Sequence, residues 1–134
     1  MKTVDIVEFR RAIVEFNEGR YFECHDTLEA LWVLASGEER RYLQGLIQVS
    51  VGFYHFFNGN PSGAISQWGK GCGKLGTCRR GYGGVDHQAL IDSVMEWTGI
   101  ASRILCGEAV STESVKTPIV HINLNSERRE PWPR

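Results

Sequence analysis

The chain has 134 residues, 42% of them hydrophobic, and a formal net charge of −1 at pH 7. That is one domain's length, enough to bury a real core, and the near-neutral balance argues against a protein whose main business is nucleic acid or a membrane surface. The four cysteines include no CxxC pair, and MKTVDIVEFRRAIVEF carries charges where a secretory signal needs an apolar run, so the thiols are read as reduced and the protein as cytoplasmic.

Val4 to Phe16 places apolar residues at helical spacing, with Thr3 or Asp5 as cap, and reads as an outer helix. Asn17-Glu18-Gly19 is a turn in which Gly19 suits a left-handed position. A second helix runs from Tyr21 to Ser36-Gly37. A third follows to Asn58-Gly59, with Glu38 and Glu39 in its first turn, where they favour the helix dipole. Its stretch LIQVSVGFYHFF, Leu46 to Phe57, is apolar nearly all round, the mark of a central helix. The stretch is shorter than the roughly 20 apolar residues a bilayer requires, so no membrane span is expected.

Asn60 and Pro61 cap and open a fourth helix to about Cys78. Gly63, Gly69, Gly71, Gly73 and Gly76 lie within it. Each costs on the order of 1 kcal/mol against Ala, so packing must compensate by letting another helix approach closely. Arg79 to Gly84 is a glycine-rich loop. From Asp86 a fifth helix turns Leu90, Val94, Trp97, Ile100, Ala101 and Ile104 inward. The expected fold is all-α, a single compact bundle of about five helices in residues 1–107. An extended C-terminal segment, 108–134, is expected to pack on the domain, or on another subunit, through Thr117 to Leu124, with its last residues mobile.

Five polar residues interrupt the apolar surface of the second and third helices. Gln44, Gln48 and His55, at i, i+4 and i+11, fall within about 40° of one another and form one stripe. On the second helix His25 and Glu29, at i and i+4, share the face of Tyr21, Phe22, Leu28 and Trp32, which is expected to pack on the third helix. Antiparallel pairing about Ser36-Gly37 then brings Glu29 near Gln44 and His25 near Gln48. Glu23 and Asp26 point about 100–160° away from His25, and are expected to cap or to pair with Arg20 or the first helix. Gly71-x-Gly73-x-x-Gly76 formally matches a dinucleotide fingerprint but has no preceding strand and lies within a helical pattern. Between Asn58 and Val85 there is no acid, while Lys70, Lys74, Arg79 and Arg80 are basic. A solvated basic face is a better reading of these four than a nucleic-acid contact.

The runs FNEGRYFECHDTLEALW, GEERRYLQGLIQ and YHFFNGNPSGA resemble the signature of an all-helical family known as domain of unknown function 309. The resemblance covers roughly Phe16 to Leu75, with Asp26 standing where the family pattern has Glu. It implies an all-α fold and the importance of Glu23, His25, Glu29, Trp32, Gln44, Gln48, His55 and Asn60. It implies no activity.

Three readings of the polar cluster stay open. In the first, His25, Glu29, Gln44, Gln48 and His55 form a buried hydrogen-bonded network, closed off by Trp32 and Tyr54, in a non-catalytic structural or protein-interaction module that meets a protein partner or forms a homo-oligomer. In the second, His25, Glu29 and His55 hold a divalent metal with one position open. In the third, Glu29 orients one histidine while the other accepts a proton, as in a metal-free hydrolytic enzyme. The first is favoured, because Gln is a poor ligand for such metals and no Glu-x-x-His pattern is present.

Overall fold

The computed structural model describes residues 3–79, 82–113 and 115–120. Five α-helices follow in chain order: α1 (Thr3–Asn17), α2 (Tyr21–Leu34), α3 (Gly37–Phe57), α4 (Pro61–Gly76) and α5 (His87–Leu105), with a 3₁₀ turn at Tyr82–Gly84 before α5. No strand occurs among the described residues. The all-α expectation holds, and the helix boundaries follow local chemistry. Gly19 and Gly59 end α1 and α3 with φ of 78° and 79°, in the left-handed region that glycine enters without a Cβ penalty. The Asn60 side chain accepts a hydrogen bond from the Gly63 N–H at 2.9 Å, and that of Asp86 accepts one from the Ala89 N–H at 3.1 Å. The fourth helix stops at Gly76, two residues short of the expected Cys78.

Helices α2, α3 and α4 lie side by side with α3 in the middle; α1 packs on α2, and α5 on α4. Phe53 of α3 is fully buried and holds the arrangement together. Its ring meets Phe16 of α1, Tyr21 of α2, Trp68 of α4 and Trp97 of α5, with centroids 5.9, 5.2, 4.8 and 5.8 Å away. Such edge-on and offset pairs add about 0.5–1.5 kcal/mol each beyond burial. Beyond α5 the chain is tied to the bundle at residues 116–120: the Asn17 side chain donates to the Val120 carbonyl at 3.0 Å and accepts from its N–H at 2.8 Å, while the Trp97 indole donates to the Lys116 carbonyl at 3.2 Å. The expected continuation through Leu124 and the polar end of the chain lie outside the described residues.

The contact between α3 and α4 is the most extensive between helices among the described residues. A Cβ at Gly52 would run into the Trp68 ring, whose indole donates to the Val49 carbonyl at 3.2 Å. A Cβ at Gly71 would stand 2.8 Å from the Gly45 carbonyl oxygen and 3.1 Å from the Val49 nitrogen, both backbone atoms. Gly69, Gly73 and Gly76 face open space instead. Of the five glycines in α4, Gly71 is needed by the packing on α3, Gly63 lies against the Asn60 cap, and the other three are needed by neither. In urea titration, Gly71→Ala is expected to destabilise the protein by about 1–3 kcal/mol through overpacking. Gly73→Ala, in the same helix, is expected to stabilise it by about 0.5–1 kcal/mol.

Candidate functional site

The structure places the five polar residues on one side of the α2–α3–α4 layer and does not join them into a sealed network. The seam between α2 and α3 is built by other residues. The Cys24 thiol meets the Ser50 hydroxyl at 3.3 Å, Tyr21 stacks on Phe53, and the Arg40 guanidinium lies 3.8 Å over the Trp32 ring. Gln44, Gln48 and His55 stand roughly 120–160° round α3 from Ser50, so their stripe turns away from α2. His25 and Glu29 do lie near the levels of Gln48 and Gln44, as expected, but the side chains point apart and do not pair. Gln48 accepts instead from Lys74 Nζ of α4, at 2.9 Å.

His25 is 27% exposed and is held by two carboxylates of its own helix: Nδ1 lies 3.2 Å from Asp26 and Nε2 3.0 Å from Glu29. Asp26, expected to point elsewhere, is a neighbour because it follows directly in sequence and its short side chain folds back to the ring. Both carboxylates are more than half exposed. His55 is half-buried near the C-terminus of α3, and no contact joins it to His25 or Glu29 among the described residues. Nor does any group of three or more His, Cys, Asp or Glu side chains converge as metal ligands among those residues.

The other expected site residues are distributed. Gln44 and Trp32 are half-buried, the Trp32 indole N–H meets no acceptor among the described residues, and Tyr54 packs tilted against Phe22 and is 39% exposed. Asn60 is the α4 cap described above. Glu23 is exposed and, with Arg20, Phe22, Tyr54, Phe57 and Thr117, lines a cleft of about 500 Å³ between the start of α2 and the end of α3. Neither His25, Glu29 nor His55 reaches that cleft. Of the basic residues, Lys70 and Arg79 are exposed, the Arg79 backbone N–H donates to Glu38 at 3.1 Å, and Arg80 lies outside the described residues.

A buried polar network does exist, in a place that sequence reasoning missed. Glu15 of α1 is 2% exposed; it accepts from the Thr27 hydroxyl at 2.7 Å and lies 3.5 Å from both Arg11 and Arg20. It ties α1 to α2. The signal for it was present: Glu15 stands between the core residues Ile13 and Phe16, on the apolar side of α1.

These features describe an all-helical bundle in which α3 carries its polar stripe on the side turned away from α2. Residues 9–67 match the family model described as a domain of unknown function, DUF309, a span that holds α2 and α3 entire. The match begins earlier in α1 and ends earlier in α4 than the resemblance seen in the sequence. Over 54 residues the chain is also 44% identical to the uncharacterized protein YpuF of Bacillus subtilis (strain 168). That alignment spans 39% of this chain and 31% of the other protein, so the chain spans about a third of its relative. No helix among the described residues is long and apolar enough to cross a membrane.

Two consequences can be measured. Thr27→Val strands one side of a buried carboxylate and is expected to cost about 1–3 kcal/mol in urea titration, whereas His25→Ala, which removes exposed pairs, is expected to cost less than about 1 kcal/mol. Burial, assisted by the Glu15 charge and opposed by the Ser50 hydroxyl, pushes the Cys24 thiol up to about 12 from its ordinary 9.0. A thiol whose value is raised on folding stabilises the fold fully below its unfolded value and loses that contribution as pH rises toward the folded one. Stability is therefore expected to fall above about pH 9, and to fall less steeply in Cys24→Ala.

Proposed function

We propose that the chain is a non-catalytic protein-interaction module whose docking surface is the open side of the α2–α3–α4 layer. One observation carries this reading. Between Arg41 and Lys70 the sequence contains no Asp, Glu, Lys or Arg, yet α3 keeps one arc of that stretch uncovered, with Gln44, Ile47, Gln48, Val51 and His55 half-buried along it. A permanently solvated helix face is normally charged. A surface depleted of charge at its centre and charged at its edges is what protein interfaces have in common. The acid–base alternative would bring His25, Glu29 and His55 together, and no contact joins His55 to the other two among the described residues.

The reading is tested by placing a photo-crosslinking amino acid at Val51, and as control at Ser102 on the exposed side of α5, in cells that express the protein. One discrete protein adduct at Val51, identified by mass spectrometry and absent at Ser102, is the expected result. The same diffuse labelling at both positions would count against it. So would stoichiometric metal in tag-free protein that disappears in a still-folded His25→Ala, His55→Ala variant.

A further inference from the structure

The open face has two edges of opposite charge. On α2, His25 bridges Asp26 and Glu29. On α4, Gln48 accepts from Lys74, and Lys70 lies one turn before it on the same side. Among the described residues neither lysine pairs with a carboxylate, and neither acid meets a cation other than His25. The opposite side of α3 is covered: its Phe53 and Phe56 meet Trp97 of α5, and Thr27, bonded to Glu15 of α1, stands roughly 160° round α2 from His25.

The heights of these charges can be read from the contacts between helices. Cys24 meets Ser50, Phe22 meets Tyr54 and Trp32 meets Arg40, so Asp26 lies at about the level of Gln48 and Glu29 at about that of Gly45. Gly52 meets Trp68 and Gly45 meets Leu75, which puts Lys70 near the level of Val49 and Lys74 near that of Gly45. Each acid on the α2 edge thus has a lysine at its own height on the α4 edge, across α3.

We propose that the partner is a second copy of this chain, docked face to face about a two-fold axis parallel to α3. This rests on the interaction-module reading and deepens it. Rotation about that axis preserves height and exchanges the edges. Asp26 then faces Lys70 and Glu29 faces Lys74 of the other copy, twice over by symmetry. A two-fold axis lying across α3 would instead set acid against acid and lysine against lysine, which charge disfavours. At 1.5 Å rise per residue and 8–10 Å between helix axes the face is roughly 30 by 20 Å, so the pair would bury about 1,200 Å², the lower end of the range for specific interfaces. His25 and Gln48 acquire a use here: each holds an edge charge in place. Lys70 and Lys74, which meet no carboxylate among the described residues, acquire one as well.

The axis makes a sharp demand, because residues at the centre of the face must meet their own copies. In a Cys106→Ser background, which removes the exposed native thiol, Gln44→Cys and Val51→Cys are each expected to cross-link into dimers under mild oxidation, and Ser102→Cys is not. By sedimentation equilibrium, Lys70→Glu with Lys74→Glu is expected to weaken self-association at least about tenfold, and so is Asp26→Lys with Glu29→Lys. Mixing the two charge-reversed chains is expected to restore a heterodimer, since both edges are again complementary. A parent chain that stays monomeric at several hundred micromolar overturns the proposal. So does a dimer indifferent to both reversals, or one in which only one of the two central cysteines cross-links. A Val51 photo-adduct with an unrelated protein would uphold the module reading and overturn self-association.

Discussion

The close approach of α3 and α4 is the constraint from which the rest of the molecule follows. Gly45 and Gly52 on one helix and Gly71 on the other remove the side chains that would hold the two backbones apart, and the Trp68 ring takes the space above Gly52. Once that stripe of α3 is committed to α4, and the stripe through Leu46, Ser50 and Phe53 is committed to α2 and the core, an arc remains that neither helix covers, touched from α4 through Lys74. Gln44, Gln48 and His55 occupy that arc. Their half-exposure is a geometric consequence of where the glycines lie, not a separate feature of those residues.

Phe53 links this seam to the remaining helices. Its ring touches one aromatic residue from each of the other four, so a shift of α4 against α3 disturbs α1 and α5 through the same side chain. Aromatic cores of this kind are dense and tolerate little adjustment. On the far side the chain uses polar bonds: Asn17 pairs with both backbone groups of Val120, and Glu15 with Thr27. The covered side of the layer is thus fixed both by packing and by satisfied polar groups, and the uncovered side is left as surface.

Helices, turns and caps were legible in the sequence because each rests on local chemistry: the repeat of apolar residues, Gly19 and Gly59 at left-handed positions, Asn60 and Asp86 as caps. The choice of neighbour was not. Periodicity gives the angle between residues on one helix, such as the 40° spread of Gln44, Gln48 and His55, but not which helix lies opposite them. The polar stripe was therefore assigned to α2 when it borders α4. The glycines held the missing information. The glycine-rich fourth helix shows the need for close approach, Gly45 and Gly52, spaced seven apart on α3, are its counterpart, and together the two sets identify the facing stripes. His25 and Asp26 show a second limit, since residues 100° apart can still meet when one carries a short carboxylate and the other a ring that turns toward it.

An exposed arc without charge would be a liability if it were strongly apolar, because such surfaces aggregate. The arc of α3 avoids that by alternating Ile47 and Val51 with Gln44, Gln48 and His55, whose polar atoms water can satisfy while the chain is alone. The same composition makes the surface only moderately adhesive. Area alone would not choose among the ways it could be covered, and the charges on the two edges supply the choice. Asp26, Glu29, Lys70 and Lys74 are too exposed to contribute much to the stability of the single chain. Their value lies in matching heights: complementarity is met when the two edges exchange at constant height and lost when either slides by a turn. In the proposed pair, hydrophobic side chains would set where contact occurs, and charges at the rim would set its register.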